Sequence, residues 1–517
     1  MHIGIDVGGT NTDAVLMDHT HVLEAVKNPT THDVTSGIIG ALDDLAAGRP
    51  FDPQDIDAVA IGTTHFTNAV VQARGLASTA VIRLGLPAAA GVPPLTAWPR
   101  RLRLALGDHV YLCSGGHEFD GREISPLNED ELRRVAGDLA AKGVSSAAIT
   151  SIFSPVNAEM ELRAAEILRA ELPGLRVSLS HEIGRVGLLE RENATVINAS
   201  LLPVAEQITN AFLKALDKAG IDAPLYLSQN DGTLMDVDYV RRYPVATFAA
   251  GPTNSMRGAA VLSGLSDCIV VDVGGTTTDV GAVVGGFPRP ATTEVDIGGV
   301  RTNFRMPDVV SVGIGGGSRV TLGDTPVIGP ESVGFRIHQE AMVFGGSTLT
   351  ATDIAVAGGR VRLGDPSRVA HLNRTEVRRC QQVVAERVAA LADSMRTSAE
   401  PVPMVLVGGG SVLLPDEMPG FDAVVRPEHF AVANAIGAAI AQVGGEVDKV
   451  YSGQDLDRED ILAEASAEAR QKALLAGATP DSVRIVEIDE LPMAYLPGNA
   501  VRVRVKAVGD LIFGGSR

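Results

Sequence analysis

One octet occurs twice in this chain. Residues 6–13 read DVGGTNTD and residues 272–279 read DVGGTTTD, so seven of eight letters match at an offset of 266 residues. Each copy is flanked by apolar runs: Ile3–Ile5 and Ala14–Met17 around the first, Cys268–Val271 and Val280–Val284 around the second. Apolar run, Gly-rich turn, apolar run is the pattern of a β-hairpin. Paired glycines let the backbone take positive φ and come close to a ligand. The bare N–H groups of such a turn, with threonine hydroxyls, can cradle phosphate oxygens. The leading aspartates, Asp6 and Asp272, stand at strand ends, where a carboxylate can hold a divalent cation or orient water. Two such hairpins, one in each half, predict two related domains closing on one nucleotide.

A chain of 517 residues is too long for a single core and predicts two or three domains. The formal charge is −19, and no Lys/Arg cluster could track a nucleic-acid backbone, so nucleic acid is excluded as an expected partner. Positive potential for a polyphosphate must then come from backbone amides and a metal. Cys113, Cys268 and Cys380 form no CxxC pair, which argues against a zinc site or iron–sulfur cluster made by this chain alone. MHIGIDVGG leads straight into a strand, and no run reaches membrane-spanning length without charges or glycines; the expectation is a cytoplasmic protein with no membrane partner.

The pattern between the octets alternates strand and helix, which predicts an α/β fold with parallel elements. Helices are expected over Val34–Ala46, Glu129–Lys142 (N-cap Asn128, stop at Gly143), Ala158–Leu172, 186–219 (largely helical, interrupted at Pro203) and Arg374–Met395. Strands are expected over Ile56–Gly62, Val81–Leu84, Ala147–Ser151, Leu225–Ser228 and Met404–Val407. Residues 86–101 read as an irregular surface excursion, 114–127 as a turn-rich hairpin, and 431–443 as a small-residue helix. Past Gly444 and Gly445 the composition becomes more charged, and residues 446–517 read as a short tail of helix and strands.

Phosphate loop, linking helix, second phosphate loop, Gly-rich loop Gly408-Gly409-Gly410-Ser411 and small-residue helix follow one another across residues 1–443. In that order they resemble the actin/sugar-kinase/Hsp70 ATPase superfamily. The wording narrows the resemblance. VGGTNTD, GTTHFTNAVVQARG (62–75), NATVINASLLP (193–203), YPVATFAAGP (243–252), VDVGGTTTDV (271–280), VGIGGGS (312–318) and IGPESVG (328–334) are similar to the hydantoinase A/oxoprolinase family. The resemblance implies two RNase H-like, actin/Hsp70-type lobes around a nucleotide cleft, plus a small C-terminal appendage. The expected division is 1–195 for the first ATPase lobe, with its excursion at about 86–127, 196–445 for the second, and 446–517 for a small α/β tail.

Family members use ATP to activate an amide or carbonyl oxygen, opening 5-oxoproline, hydantoins or lactams, or carboxylating ketones; many work with a second subunit. The resemblance therefore implies ATP and Mg2+ as cofactors, a small-molecule substrate, a second hydantoinase-type subunit and an oligomer. Asp6 and Asp272 would be the catalytic and metal-holding carboxylates. Gly8, Gly9, Thr10, Asn11 and Thr12 would hold phosphate in the first lobe, and Gly274, Gly275, Thr276 and Thr277 in the second. Gly408, Gly409, Gly410 and Ser411 would hold the adenosine. The threonines serve equally as strand formers, and Asp13 and Asp279 are as suited to bracing the hairpins as to touching metal. One segment departs from the family: residues 335–346 read FRIHQEAMVFGG where a PGP-C-YG-type segment is usual, on an expected substrate-side loop.

Thr64, His65 and Asn68 lie in a polar turn after a strand, where α/β sites gather ligand contacts. Gly315 and Gly316 lie in GIGGGS, which reads either as an anion loop or as a tight turn. Glu190, Arg191 and Glu192 read as a solvated helix start, and His117, Glu118 and Asp120 as turn chemistry. The leading expectation is an ATP-dependent cyclic amidase subunit that phosphorylates a ring amide and lets water open it. The alternatives are a small-molecule kinase of the same superfamily and an ATP-switched, non-catalytic activator.

Overall fold

The computed structural model describes residues 1–8, 11–29, 34–184, 186–291, 295–303, 306–323, 325–440, 442–451, 457–493 and 500–512. Among these the chain builds two principal mixed sheets, one around each octet. The first runs, edge to edge, Arg484–Pro492, Val501–Asp510, Gln442–Tyr451, Leu234–Asp236, Leu225–Ser228, Ala58–Thr63, His2–Val7, Asn11–Asp18, His21–Pro29. His2–Val7 is buried at every position, as a central strand covered on both faces must be. It runs antiparallel to Asn11–Asp18 and parallel to Ala58–Thr63. The second sheet runs Phe287–Pro288, Thr278–Val284, Cys268–Val273, Met404–Val407, Val424–Val425, with Val309–Val312 also paired to Thr278–Val284.

A third, wholly parallel sheet is inserted in sequence between two strands of the first, Ala58–Thr63 and Leu225–Ser228: His109–Ser114, Thr79–Leu86, Ser146–Ser151, Arg176–Leu179. Helices Glu129–Lys142 and Glu159–Glu171 cover it with their own apolar cluster, including Leu132, Leu139, Ala164 and Leu168. Its other face joins the main core through Val81 and Ala148. The boundary expected at 195/196 lies inside one helix, Leu188–Lys218, which carries Pro203 without breaking.

Charge patterning misled the reading of that helix start. Arg191 and Glu192 are buried, not solvated. Arg83, from the parallel sheet, meets Glu192 in a two-pronged ion pair at 2.7 and 2.6 Å. Arg191 donates to Ser180 Oγ, Val186 O and Ser151 O. A paired, hydrogen-bonded charge can be buried, and removing one partner typically costs ~3–5 kcal/mol. Two further corrections follow from packing, at 86–101 and 431–443. In the 86–101 excursion, Leu95 and Trp98 are buried, and the Trp98 indole donates to Asn193 Oδ1 at 2.7 Å. Residues 114–127 do form the expected turn-rich hairpin, a short one: His117 bridges Glu123 antiparallel, and Glu118 N donates to Arg122 O at 2.7 Å. The helix expected over 431–443 is confined to Ala433–Ala439, and Gln442 starts a ten-residue strand.

That strand pairs antiparallel with Val501–Asp510 and carries the tail onto the first sheet. Helix Arg458–Leu475 lies across it, with Ala465, Ala469 and Ala473 fully buried. Gly445 has no room for a Cβ beneath Ala469. No helix among the described residues is long and apolar enough to cross a membrane.

Candidate nucleotide site

The two octets fold alike. In the first hairpin Asp6 pairs with Asp13 and Val7 with Thr12; in the second Asp272 pairs with Asp279 and Val273 with Thr278. The turns close identically: Gly8 N donates to Asn11 O at 3.0 Å and Gly274 N to Thr277 O at 2.9 Å. Gly9 and Thr10 lie outside the described residues. Each hairpin also has a parallel neighbour whose end carries the next group of expected residues. Asp6 aligns with Gly62, so Thr64, His65 and Asn68 follow directly at the same sheet end. Asp272 aligns with Val407, so Gly408–Ser411 follow at that one. Gly62 and Gly408 each stand where a Cβ would run into the hairpin aspartate. At Gly408 the backbone also takes φ +82°, which favours glycine.

The two aspartates fall within one electrostatic neighbourhood. Burial, then repulsion by Asp13, pushes Asp6 up to about 7, against the hydrogen bond from Asn434; Asp272 adds to the rise. Burial raises Asp272 to about 6, opposed by the hydrogen bond from Ser255. Burial also raises Asp13 and Asp279, opposed by Lys27 and by the Ser311 hydroxyl respectively. Lys27 Nζ lies 2.6 Å from Asp13 Oδ2 and 3.2 Å from Ala431 O, and its charge favours the ionised form of both Asp6 and Asp272. It reaches from the edge strand of the first sheet to the segment leaving the second, close to Gly409.

Several buried polar atoms at this site find no hydrogen-bond partner among the described residues: Asp6 Oδ1, Thr12 Oγ1, Asn254 Nδ2 and Ser411 Oγ. Buried polar groups are normally satisfied, so such a cluster marks a place built for something else to bind. Mutually repelling carboxylates suit a divalent cation, and turn amides with hydroxyls suit phosphate, so the residues fit ATP with Mg2+. Thr276 is exposed and Thr277 half-buried at the second turn. Gly315 and Gly316 buttress that turn. Gly316 N donates to Gly274 O at 3.0 Å, Gly316 O accepts from Thr352 N and Oγ1, and Gly315 packs against Thr276 N. His65 Nδ1 lies 2.7 Å from Thr63 Oγ1, and burial lowers its pKa. Cys113, Cys268 and Cys380 are separate buried thiols.

Lys27, Ser255, Asn254 and Asn434 were not singled out in the sequence. A lone Asn in the otherwise small and apolar run AVANAIGAAIA (431–441) is a usable signal for Asn434. Lys27 had none, because its partners come from pairing with a third strand.

Residues 2–172 match the hydantoinase/oxoprolinase N-terminal region and residues 191–407 match hydantoinase/oxoprolinase. The chain belongs to the hydantoinase/oxoprolinase family. It is 29% identical over 309 residues to the caprolactamase subunit alpha of Pseudomonas jessenii, covering 55% of this chain and 43% of that one. It is 27% identical over 393 residues to the acetophenone carboxylase gamma subunit of Aromatoleum aromaticum, covering 69% and 53%. The chain thus spans about half the length of the curated relatives it matches. Its fold is similar to the crystal structure of the ATP-dependent caprolactamase from Pseudomonas jessenii, with TM-score 0.79, 20% identity, and coverage of 98% of this chain and 87% of that one. Nucleotide-free acetone carboxylase is similar at TM-score 0.69 and 18% identity, covering 99% and 88%.

Proposed function

We propose that the two principal sheets are the cores of two actin/Hsp70-type lobes that close on one ATP. In this reading the chain is the nucleotide-handling subunit of an ATP-dependent enzyme acting on a cyclic amide or a related carbonyl compound. The observation that carries the reading is the matched register of the two hairpins, each presenting an aspartate against a glycine at the end of a parallel neighbour. Asp6 and Asp272 would hold the metal and orient the attacking group. Gly8, Asn11 and Thr12 of the first octet, with Gly9 and Thr10 by sequence, and residues 274–277 of the second would hold phosphates, and Gly408–Ser411 the adenosine. Bound ATP with Mg2+ would supply the phosphoryl group that makes a ring-amide carbon electrophilic or, for a ketone that has lost an α-proton, captures its enolate oxygen as an enol phosphate. The protein's share is positioning and charge neutralisation, which phosphoryl transfer mainly requires. Thr64, His65 and Asn68, at the same sheet end as Asp6, would meet the small molecule.

The similarity to subunits of named enzymes supports a partner subunit that completes the reaction. Likeness to a carboxylase subunit over 69% of the chain favours one second reading, a ketone rather than a ring amide as the oxygen donor to the phosphoryl group. ADP release with Mg2+ and ATP, measured against 5-oxoproline, hydantoins, small lactams and ketones, separates the two. Asp272→Asn serves as the blank. Stimulation by one compound, lost in the variant, supports the reading and names the class. A stable phosphorylated product in place of ring-opened acid would replace it with a kinase.

A further inference from the structure

The chain passes between the two principal sheets twice. It goes from first to second through helix Ala250–Ser263 and returns through helix Ala433–Ala439. The two helices pack against each other, and their sequences share a short register: Gly258-Ala259-Ala260 in one and Gly437-Ala438-Ala439 in the other, 179 residues apart. Their contacts are reciprocal. Gly258 has no room for a Cβ against Ala433 O, and Gly437 has none against Asn254 O. Residue 433 is residue 254 advanced by the same 179, so the crossing has a local two-fold relation.

Three positions before each glycine stands a side chain that reaches a hairpin aspartate. Ser255 Oγ donates to Asp272 Oδ2 at 2.5 Å, and Asn434 Nδ2 donates to Asp6 Oδ2 at 2.9 Å. Positions 255 and 434 are again 179 apart. Each helix therefore holds the carboxylate of the sheet the chain is entering. Asn254, beside Ser255, brings its partnerless Nδ2 against Gly62, next to Asp6 Oδ1, so the first helix faces both carboxylates.

We infer that Ser255 and Asn434 are paired positioning residues, and that the glycine contact at the helix crossing sets the separation of Asp6 and Asp272. This rests on the nucleotide-handling reading above. Any closure of the two sheets that shifts the crossing must move both carboxylates together, because each is tied to the crossing by one hydrogen bond. The crossing is thus a mechanical link between sheet closure and metal geometry. Groups that hold a metal-binding carboxylate from behind commonly matter about 10–100-fold in affinity or activity.

The test compares Ser255→Ala, Asn434→Ala and Ser255→Thr with the unaltered chain. Ligand-free crystal structures report where the Asp6 and Asp272 carboxylates point, and calorimetry reports Mn2+-ATP binding. The expected result is a rotated Asp272 in Ser255→Ala and a rotated Asp6 in Asn434→Ala, with Mn2+-ATP affinity about 10–100-fold lower. Ser255→Thr, which keeps the hydroxyl, retains the Asp272 orientation and the affinity of the unaltered chain. Unmoved carboxylates in the ligand-free alanine variants would overturn the inference, as would alanine and threonine variants behaving alike. An unaltered chain that binds no Mn2+-ATP would instead sink the nucleotide reading, while the crystal structures still decide whether these residues position the aspartates.

Discussion

In the proposed site Asp6 and Asp272 would carry the chemistry, and both are held in surroundings hostile to their charge. A carboxyl whose folded pKa lies above its unfolded value binds its proton more tightly when folded. The stability this brings is complete below the unfolded value, here 3.8, and is lost as pH rises through the folded value of about 7 for Asp6. The ligand-free chain should therefore lose stability between these limits. Asp6→Asn should remove that loss, gaining up to about 4 kcal/mol at pH 8 relative to pH 4, since one pKa unit is worth about 1.4 kcal/mol. Thermal unfolding of both chains across this range checks it; parallel curves would contradict it. Mg2+-ATP should flatten the wild-type curve, because a bound cation favours the ionised form. Lys27 is the residue-scale counterpart. Lys27→Met leaves Asp13 buried without its cation and should cost ~3 kcal/mol, whereas adding Asp13→Asn should recover most of it. Strictly additive losses in denaturant unfolding would show that the pair has no such role.

Elements whose signals are local were legible, and those that depend on distant pairing were not. Helix Glu129–Lys142 matches its reading to the residue, because Asn128 caps Glu131 N and Gly143 takes the left-handed stop. Met404–Val407 and Leu225–Ser228 likewise match. The paired hairpins were legible because the octet repeats. The parallel sheet around Thr79–Leu86 was not read as a separate unit, since strand order is set by contacts far apart in sequence. Arg191 and Glu192 were misread because charge argues for solvent until a partner such as Arg83 is known. The start of strand Gln442–Tyr451 was hidden in a run of small residues that suits a helix equally well. Glycine placement makes the element scale testable. Gly437→Ala, forced against Asn254 O, should destabilise by about 1–3 kcal/mol. Gly137→Ala, in open space within helix Glu129–Lys142, should stabilise by about 0.5–1 kcal/mol. Equal effects in thermal unfolding would mean that the crossing is looser than its geometry implies.

At the scale of the molecule, the repeat in sequence becomes a repeat in structure: two sheets, each with a hairpin aspartate, joined by two crossing helices. The tail is continuous with the first sheet through the Gln442–Tyr451 and Val501–Asp510 pairing, and Lys506 anchors it to Asp231 at 2.8 Å. Neither hairpin alone supplies both carboxylates, so under the proposed reading a bound nucleotide would engage both sheets at once. Titration calorimetry of Mg2+-ATP into the unaltered chain, Asp6→Asn and Asp272→Asn tests that claim most directly. The account predicts a single nucleotide per chain, with binding weakened by either substitution although the two lie in different sheets. Two independent binding events, or binding untouched by one of the substitutions, would contradict it.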